Sequence, residues 1–360
     1  MTLNVNHRVC LVHYTSAPGG IELLMPEIIS VFAPATFSVF VIRPPGINEY
    51  DVYKEVPVEV VRGHASNLKA AWRLWRYASK HRNDIFHSFN TGPFFMLVVR
   101  LAGVRAAVYS IRGTQHYKNG LQKTIRKFVW RAVLPAKYRI IANSAFSREL
   151  FLQFLSPFYP EIKVLYNPVG SLRIKPLIPR NGDEGLNIIY TGRLAEGKNL
   201  YRWIDMAISI HDKRPDARFF IYGSGPLGKS LADYSVSHGA GKFVSFRGFT
   251  PDLSEAYRNA DLMMFLSEAE SFGNAVVESI LFGVPVIAAD IPSIREIFRD
   301  FPIFLVSSGS AMEPDILDRV SRIAELRETV NRANEAFSIR FSTAQHAEGL
   351  KSVYESFSRD

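Results

Sequence analysis

At 360 residues the chain is long for one domain and comfortable for two, and a composition 47% hydrophobic and 21% charged excludes a disordered or fibrous protein. A single cysteine, Cys10 in the apolar run VCLV, excludes an internal disulfide and suits a reducing compartment. The net charge of +9 is unevenly placed: residues 1–170 hold 21 Lys and Arg against 9 Asp and Glu, and the rest hold 22 against 25, so a basic half (+12) joins a mildly acidic one (−3).

The first half alternates short apolar runs with helical stretches. HRVCLVHYT, FSVFVIR, VEVVRG, DIFHSF, AAVYSIRG and RIIANS read as six strands, with helical material predicted at 20–32, 67–81, 94–102 and 120–133. That alternation predicts a parallel sheet covered on both faces. Around 168–186 the pattern gives way to a proline- and glycine-rich stretch with no periodicity, a linker by composition. The alternation then restarts: LNIIYTG, ARFFIYG, FVSFRG, DLMMFL and PVIAAD are strands, and 199–213, 226–237, 252–259 and 274–283 are helices. From 343 onward the tail again has helical spacing. The domains predicted are therefore 1–170 and 171–342, two parallel α/β units in tandem, with a C-terminal helix at 343–360 that packs back on the first. The long apolar run SFGNAVVESILFGVPVIAA is interrupted by Glu278, Gly273, Gly283 and Pro285, so neither a membrane span nor a signal peptide is expected.

In an open parallel sheet, ligands bind beyond the carboxyl ends of the strands, where helix N-termini point outward. After the first strand, Pro18-Gly19-Gly20 lets backbone approach a ligand without a Cβ in the way, or simply makes a turn. After the first strand of the second unit, TGRLAEGKNL places Arg193 and Lys198 on either side of a turn; a guanidinium and an ammonium there suit a diphosphate, or are two surface cations. YGSGPLG is a literal G-x-G-x-x-G at Gly223, Gly225 and Gly228. It follows the second strand of its unit, contains Pro226 and lacks the later acid that would bind a ribose, which weakens a dinucleotide reading. In EAESFGNAVVES a helix starting near Gly273 and Asn274 would turn the amides of 271–275 toward a ligand. Glu270 would then lie just before it and Glu278 one turn in, where a carboxylate can accept two hydrogen bonds from a vicinal diol. Otherwise Ser267 and Glu270 form a capping box. No D-x-D, no His/Cys cluster of metal-ligand spacing and no G-x-S-x-G elbow occurs, so no metal or other cofactor is expected. These residues suit a site that stabilises a departing diphosphate by Arg, Lys and helix amides.

Together, PGGIE, NSAFSRE with VLYNPV, YTGRLAEGKN, YGSGPL and EAESFGNAVVESILFGVPVIA resemble the retaining glycosyltransferases of family 4 over nearly the whole chain, in order. The E-x7-E pair, Glu270 and Glu278, is the most specific of these motifs. The resemblance implies a GT-B fold, two Rossmann-like parallel-sheet domains facing a central cleft. A nucleotide-sugar donor, UDP- or GDP-linked, would be held mainly by the second domain and the acceptor by the first. By the resemblance, Arg193 and Lys198 hold the diphosphate and act in catalysis, and Glu278 binds the ribose. Glu270 contacts the transferred sugar, helped by backbone at Phe272, Gly273 and Asn274. Gly19 and Gly20 approach the diphosphate from the facing domain, and Gly223 joins the donor site. Where many relatives read H-x-H, this chain has His87 and Phe89, so His87 alone remains as a catalytic histidine. Ser271 stands where glycine is common.

Two segments of the first half interleave cations with aromatics. LKAAWRLWRYASKHR sets Lys69, Arg73, Arg76 and Lys80 on one helical stripe beside Trp72 and Trp75. The second segment carries Lys118, Lys123, Arg126, Lys127, Arg131, Lys137 and Arg139 around Phe128 and Trp130. Such helices suit an anionic lipid surface better than nucleic acid, or are a solvated basic face. The expected protein is a cytoplasmic enzyme, peripheral on the inner face of the membrane, that adds sugar to a lipid-linked or cell-surface glycan. An NAD-dependent oxidoreductase using Gly223–Gly228 and a non-catalytic nucleotide-sugar-binding protein are the alternatives.

Overall fold

The computed structural model describes residues 7–16, 20, 22–32, 36–44, 51–54, 56–113, 121–134, 138–158, 160–169 and 185–358, with backbone alone at 121–123. The chain forms two compact units, Met1–Pro168 with Thr343–Asp360, and Val169–Ser342.

The first unit is built on β1 Val9–Thr15, β2 Phe37–Arg43, β3 Glu59–Arg62, β4 Ile85–Phe89, β5 Ala106–Ile111, β6 Tyr138–Ala142 and β7 Ile162–Val164. They make one parallel sheet in the order β3-β2-β1-β4-β5-β6-β7. The central strands read as continuous apolar runs because both faces are covered. Cys10 and Val12 point into a core with Phe40, Ile42, Leu74 and Trp130, while Val9 and Leu11 point into another with Ile28, Val39, Val41 and Tyr354. β3, at the sheet edge, is correspondingly half exposed. One face carries α1 Met25–Ser30 and the C-terminal helix Thr343–Glu355, whose Thr343 hydroxyl donates to Glu27 at 2.6 Å. The other carries α2 Asn67–Lys80, α3 Pro93–Leu101, α4 Leu121–Val133 and α5 Ala145–Leu155. α2 buries Ala70, Ala71, Leu74 and Ala78 at helical spacing, and Ser144 caps α5 by accepting from the Ser147 amide at 2.9 Å.

Three sequence expectations shift here. The helix predicted over 20–32 is a 3₁₀ turn, Glu22–Leu24, followed by α1, in which Pro26 occupies the first turn where a missing N–H costs nothing. Arg139, counted both in the strand RIIANS and in the basic segment, belongs to β6 and lies over the Phe357 ring at 5.3 Å. Of α5 and β7, both unassigned from sequence, β7 completes the sheet and α5 covers it.

The second unit contains β8 Asn187–Thr191, β9 Arg218–Tyr222, β10 Val244–Gly248, β11 Leu262–Phe265, β12 Val286–Ala289 and β13 Leu305–Val306. They form a parallel sheet in the order β10-β9-β8-β11-β12-β13. Around it lie α6 Leu200–Lys213, α7 Gly228–Ser237, α8 Ser254–Arg258, α9 Asn274–Leu281, α10 Pro292–Ile297, α11 Met312–Ser321 and α12 Ile323–Arg340. Trp203, wholly buried on α6, donates its indole N–H to the Met264 carbonyl at 2.8 Å and ties α6 to β11. The strand order reverses between β8 and β11, and the loops leaving those two strands emerge side by side, the place where open α/β sheets bind ligands.

Candidate active site

The loop after β8 lies flat against the end of β9. The Gly192 amide donates to Tyr222 O at 3.0 Å, Leu194 to Ser224 O at 2.9 Å, and Leu227 back to Leu194 O at 3.0 Å. This contact needs glycine. A Cβ on Gly223, where φ is +137°, would stand 1.9 Å from the Gly192 carbonyl oxygen, and one on Gly225 would stand 2.3 Å from that of Leu194. Gly228 has only a side-chain carbon of Leu194, at 3.6 Å, beside the same point. The first two glycines of the G-x-G-x-x-G run therefore serve the seating of the Arg193 loop.

Arg193 is exposed on that loop, and its carbonyl accepts from the Tyr190 hydroxyl at 3.2 Å. Burial first, and then Glu270, push the Tyr190 phenol up, so it stays a donor. At the far end of the loop the Gly197 carbonyl accepts from the Glu268 amide at 2.9 Å, joining it to the segment after β11. Across this junction the Lys198 ammonium donates to the Glu270 carboxylate, with the two side chains 22% and 15% exposed. A charged pair thus sits where β8 and β11 part.

α9 begins at Asn274 behind Gly273, the N-cap, which has φ +110° and no capping side chain. The Ser267 hydroxyl is buried without a hydrogen-bond partner, so the capping box does not form. A Cβ on Gly273 would meet Ile294 at 2.6 Å. Phe272 is buried edge-on to Phe341 at 5.5 Å, which leaves backbone, not the ring, at the helix mouth. Glu278 lies about one turn into α9. Its Oε2 accepts from the Tyr257 hydroxyl at 3.2 Å, and that hydroxyl is 3.1 Å from Thr191 Oγ1 at the end of β8. Neither Tyr257 nor Thr191 was legible as a site residue, because no local spacing ties either to Glu278.

In the first unit, His87 is wholly buried: Nδ1 is 2.7 Å from the Tyr354 hydroxyl and Nε2 is 2.7 Å from the Ser110 hydroxyl. Burial, followed by Arg112, His13 and His346, holds its pKa well below the ordinary histidine value. A ring with both nitrogens engaged in the core does not suit a group that must meet substrate, so the expected catalytic place of His87 is corrected to a core one. Phe89 stacks between two imidazoles, His87 at 4.1 Å and His13 at 4.5 Å. Gly20 is exposed after β1, while Gly19 lies outside the described residues, as do Lys118 and Lys137. Among the described residues no three His, Cys, Asp or Glu gather as metal ligands, and no helix is long and apolar enough to cross a membrane.

Against known proteins, residues 178–337 match the model for glycosyl transferases group 1 and residues 18–170 match that for glycosyltransferase family 4. The chain is 26% identical over 196 residues to a putative glycosyltransferase, EpsD, of Bacillus subtilis, covering 53% of this chain and 51% of that protein. It is 25% identical over 242 residues to the UDP-Gal:alpha-D-GlcNAc-diphosphoundecaprenol alpha-1,3-galactosyltransferase of Escherichia coli, covering 62% of each. The chain thus spans between half and two thirds of the length of these two relatives. Among solved structures, Anabaena HepE in complex with UDP-glucose superposes with a TM-score of 0.80 at 20% identity, over 98% of this chain and 100% of that one. Sucrose-phosphate synthase from Thermosynechococcus elongatus gives 0.79 at 15%, over 99% and 100%. At such identities the likeness speaks of fold, and the fold is GT-B. With two successive family models matched in order on two parallel-sheet units, this chain belongs to glycosyltransferase family 4.

Proposed function

We propose that the chain is a metal-independent, retaining glycosyltransferase that moves a sugar from a UDP- or GDP-sugar to a lipid-linked or cell-surface glycan. One observation carries the reading: the Lys198–Glu270 pair stands at the strand-order reversal, with Glu278 one turn into the adjoining helix. Arg193 and Lys198 would neutralise the diphosphate, and Glu278 would accept the ribose hydroxyls. The backbone at 272–274 and the Glu270 carboxylate would face the transferred sugar. In the reaction the acceptor hydroxyl oxygen forms the new bond to the anomeric carbon on the face the diphosphate leaves. The anomeric C–O bond to phosphate breaks, and the departing phosphate oxygen takes the acceptor proton. No protein base is needed, which agrees with the core placement of His87. That HepE was solved with UDP-glucose, and that the Escherichia coli relative uses UDP-Gal, favours a UDP-sugar here; the diphosphoundecaprenol acceptor of the latter favours a lipid-linked one.

A lipid-linked acceptor places the enzyme at a membrane surface, and the first unit has a face for it. α2 packs on α3 and α3 on α4. Their sequences hold nine Lys and Arg and no Asp or Glu, and expose Leu68, Trp72, Trp75, Leu101, Ile125 and Phe128. Cations and large apolar groups on neighbouring helices, with no acid among them, complement anionic lipid.

The reading is tested by thermal shift with UDP, GDP, ADP and NAD on wild type and Glu278→Ala, followed by turnover of a radiolabelled donor. One nucleoside diphosphate should stabilise wild type by several degrees and the variant far less. A response to NAD alone would move the site to Gly223–Gly228 and overturn the transferase reading.

A further inference from the structure

We infer that Tyr257 is a positioning residue that sets the preference of the donor site for a ribose over a 2′-deoxyribose. The inference rests on the reading that Glu278 receives the sugar hydroxyls of the nucleotide.

Tyr257 is wholly buried on α8, its ring stacked on Phe282 at 4.7 Å and 11°. Its hydroxyl has three oxygens within reach: Thr191 Oγ1 at 3.1 Å, Glu278 Oε2 at 3.2 Å and Ala275 O at 3.4 Å. A phenol has one proton to give. The carboxylate is the stronger acceptor and the nearer of the two that can only accept, so the Tyr257 proton goes to Glu278 and the Thr191 proton goes to Tyr257. The result is a directed chain, Thr191 to Tyr257 to Glu278, running from the end of β8 through α8 to α9. Burial pushes the Tyr257 phenol far above its ordinary range, with Glu278 adding to the effect, so the donor stays protonated at any pH the enzyme would meet.

A glutamate side chain has three rotatable bonds and can point its carboxylate many ways. The phenol fixes one oxygen, and with it the plane of the carboxylate. Two parallel hydrogen bonds from a vicinal diol require that plane to be set before the ligand arrives, since otherwise the ligand must order it. At its other end α9 is held too: the Asn334 amide donates to the carbonyls of Ile280 and Leu281 at 2.9 and 2.8 Å. Helix and carboxylate are both pinned by residues that touch no substrate.

The test is calorimetric titration of the full chain with UDP and GDP and with their 2′-deoxy counterparts, on wild type, Tyr257→Phe, Thr191→Val, Thr191→Ser and Glu278→Gln. Melting temperatures are recorded for each, so that loss of fold is seen separately. Wild type should prefer the ribonucleotide by about tenfold or more, as expected for a lost hydrogen bond to a charged group. Tyr257→Phe should reduce that preference several-fold while binding the 2′-deoxy form nearly as well as wild type does. Thr191→Val should do the same to a smaller degree, and Thr191→Ser, which keeps the hydroxyl, should restore it. A merely structural tyrosine would weaken both nucleotides alike. If Glu278→Gln abolishes the preference and Tyr257→Phe leaves it intact, the positioning inference is overturned and the ribose reading stands. If Glu278→Gln keeps the preference, or wild type shows none, the ribose reading itself falls.

Discussion

Lys198 and Glu270, 72 residues apart in sequence, are joined as an ion pair where the loops after β8 and β11 meet. The pair has two consequences. It stitches the loops together, and on the proposed function it keeps the ammonium partnered by a carboxylate until a diphosphate arrives. Lys198→Met leaves Glu270 without its cation in a half-buried place, whereas Glu270→Gln keeps an acceptor for the ammonium. Glu270→Gln should therefore melt within a few degrees of wild type and lose about a hundredfold or more in turnover, with nucleotide affinity kept. Lys198→Met should lose nucleotide affinity as well as about 1–3 kcal/mol of stability. Turnover above a tenth of wild type in Glu270→Gln would remove that carboxylate from the chemistry.

The glycine run offers a contrast within six residues. Gly223→Ala puts a methyl 1.9 Å from the Gly192 carbonyl at a φ of +137°, so backbone has to move and the Arg193 loop moves with it. A loss of several kcal/mol and of nucleotide binding is expected. Gly228→Ala meets only an ordinary contact at 3.6 Å at the start of α7, and should be neutral or stabilising by about 0.5–1 kcal/mol. Chemical denaturation of the two variants decides the matter. Equal losses would mean that the run is not there to seat the β8 loop.

How much of this was legible follows from the range of each interaction. Central strands such as β1, β2 and β11 announce themselves because parallel strands covered on both faces must be apolar throughout. The Glu270–Glu278 spacing is likewise local and was read directly. β7 and β13 are edge strands of three and two residues, too short to carry a period. Arg139 counts in the basic run as well as in the strand RIIANS, because charge and apolar pattern overlap there, and its pairing with β5 resolves the overlap in favour of the strand. The Thr191–Tyr257–Glu278 chain joins residues 66 and 21 apart on three elements, and no spacing rule reaches it. His87 was named for its motif. What makes it a core residue, Tyr354, comes from the other end of the chain.

Three buried imidazoles give the first unit a predictable weakness to acid. His13 and His346 are each pushed down to about 3 by burial first and by Arg112 second, and His87 is lowered by burial and the same neighbours. Their folded pKa values lie below the unfolded value, so the neutral forms are favoured by the fold. Above about pH 6.5 neither state is protonated and nothing is lost. As pH falls below that, the unfolded chain takes up protons that the fold refuses, and stability drops. At pH 5.5 these histidines together cost on the order of a few kcal/mol, a fall of several degrees in melting temperature for a unit of this size. His13 stacks on Phe89 with both ring nitrogens unpartnered. His13→Phe should therefore match or exceed wild type at pH 7.5 and remove about a third of the acid loss. An unchanged slope between pH 7.5 and 5.5 in that variant would show that His13 is not held neutral.

The face made by α2, α3 and α4 can be tested with its own chromophores. The chain has four tryptophans. Trp130 and Trp203 are wholly buried, while Trp72 and Trp75 are 57% and 45% exposed on α2, with the Arg76 guanidinium over the Trp72 ring at 5.6 Å. Any shift in emission on adding vesicles therefore comes from the face in question. With phosphatidylglycerol vesicles the emission should move to the blue, and with phosphatidylcholine it should not, because cations first draw the helices to the surface and only then do the rings enter it. Salt at about 0.5 M should weaken the shift, as screening demands. With each cation worth about 1 kcal/mol near an anionic surface, Lys69→Ala, Arg76→Ala and Arg131→Ala combined should lower partitioning about a hundredfold. All three are exposed residues of the first unit, whereas the β8–β11 junction belongs to the second, so turnover on a soluble acceptor should be kept while turnover on a vesicle-borne one falls. Loss of both together would point to a folding defect, and a shift produced equally by single-stranded oligonucleotide would make the face one for phosphate polymers rather than lipid.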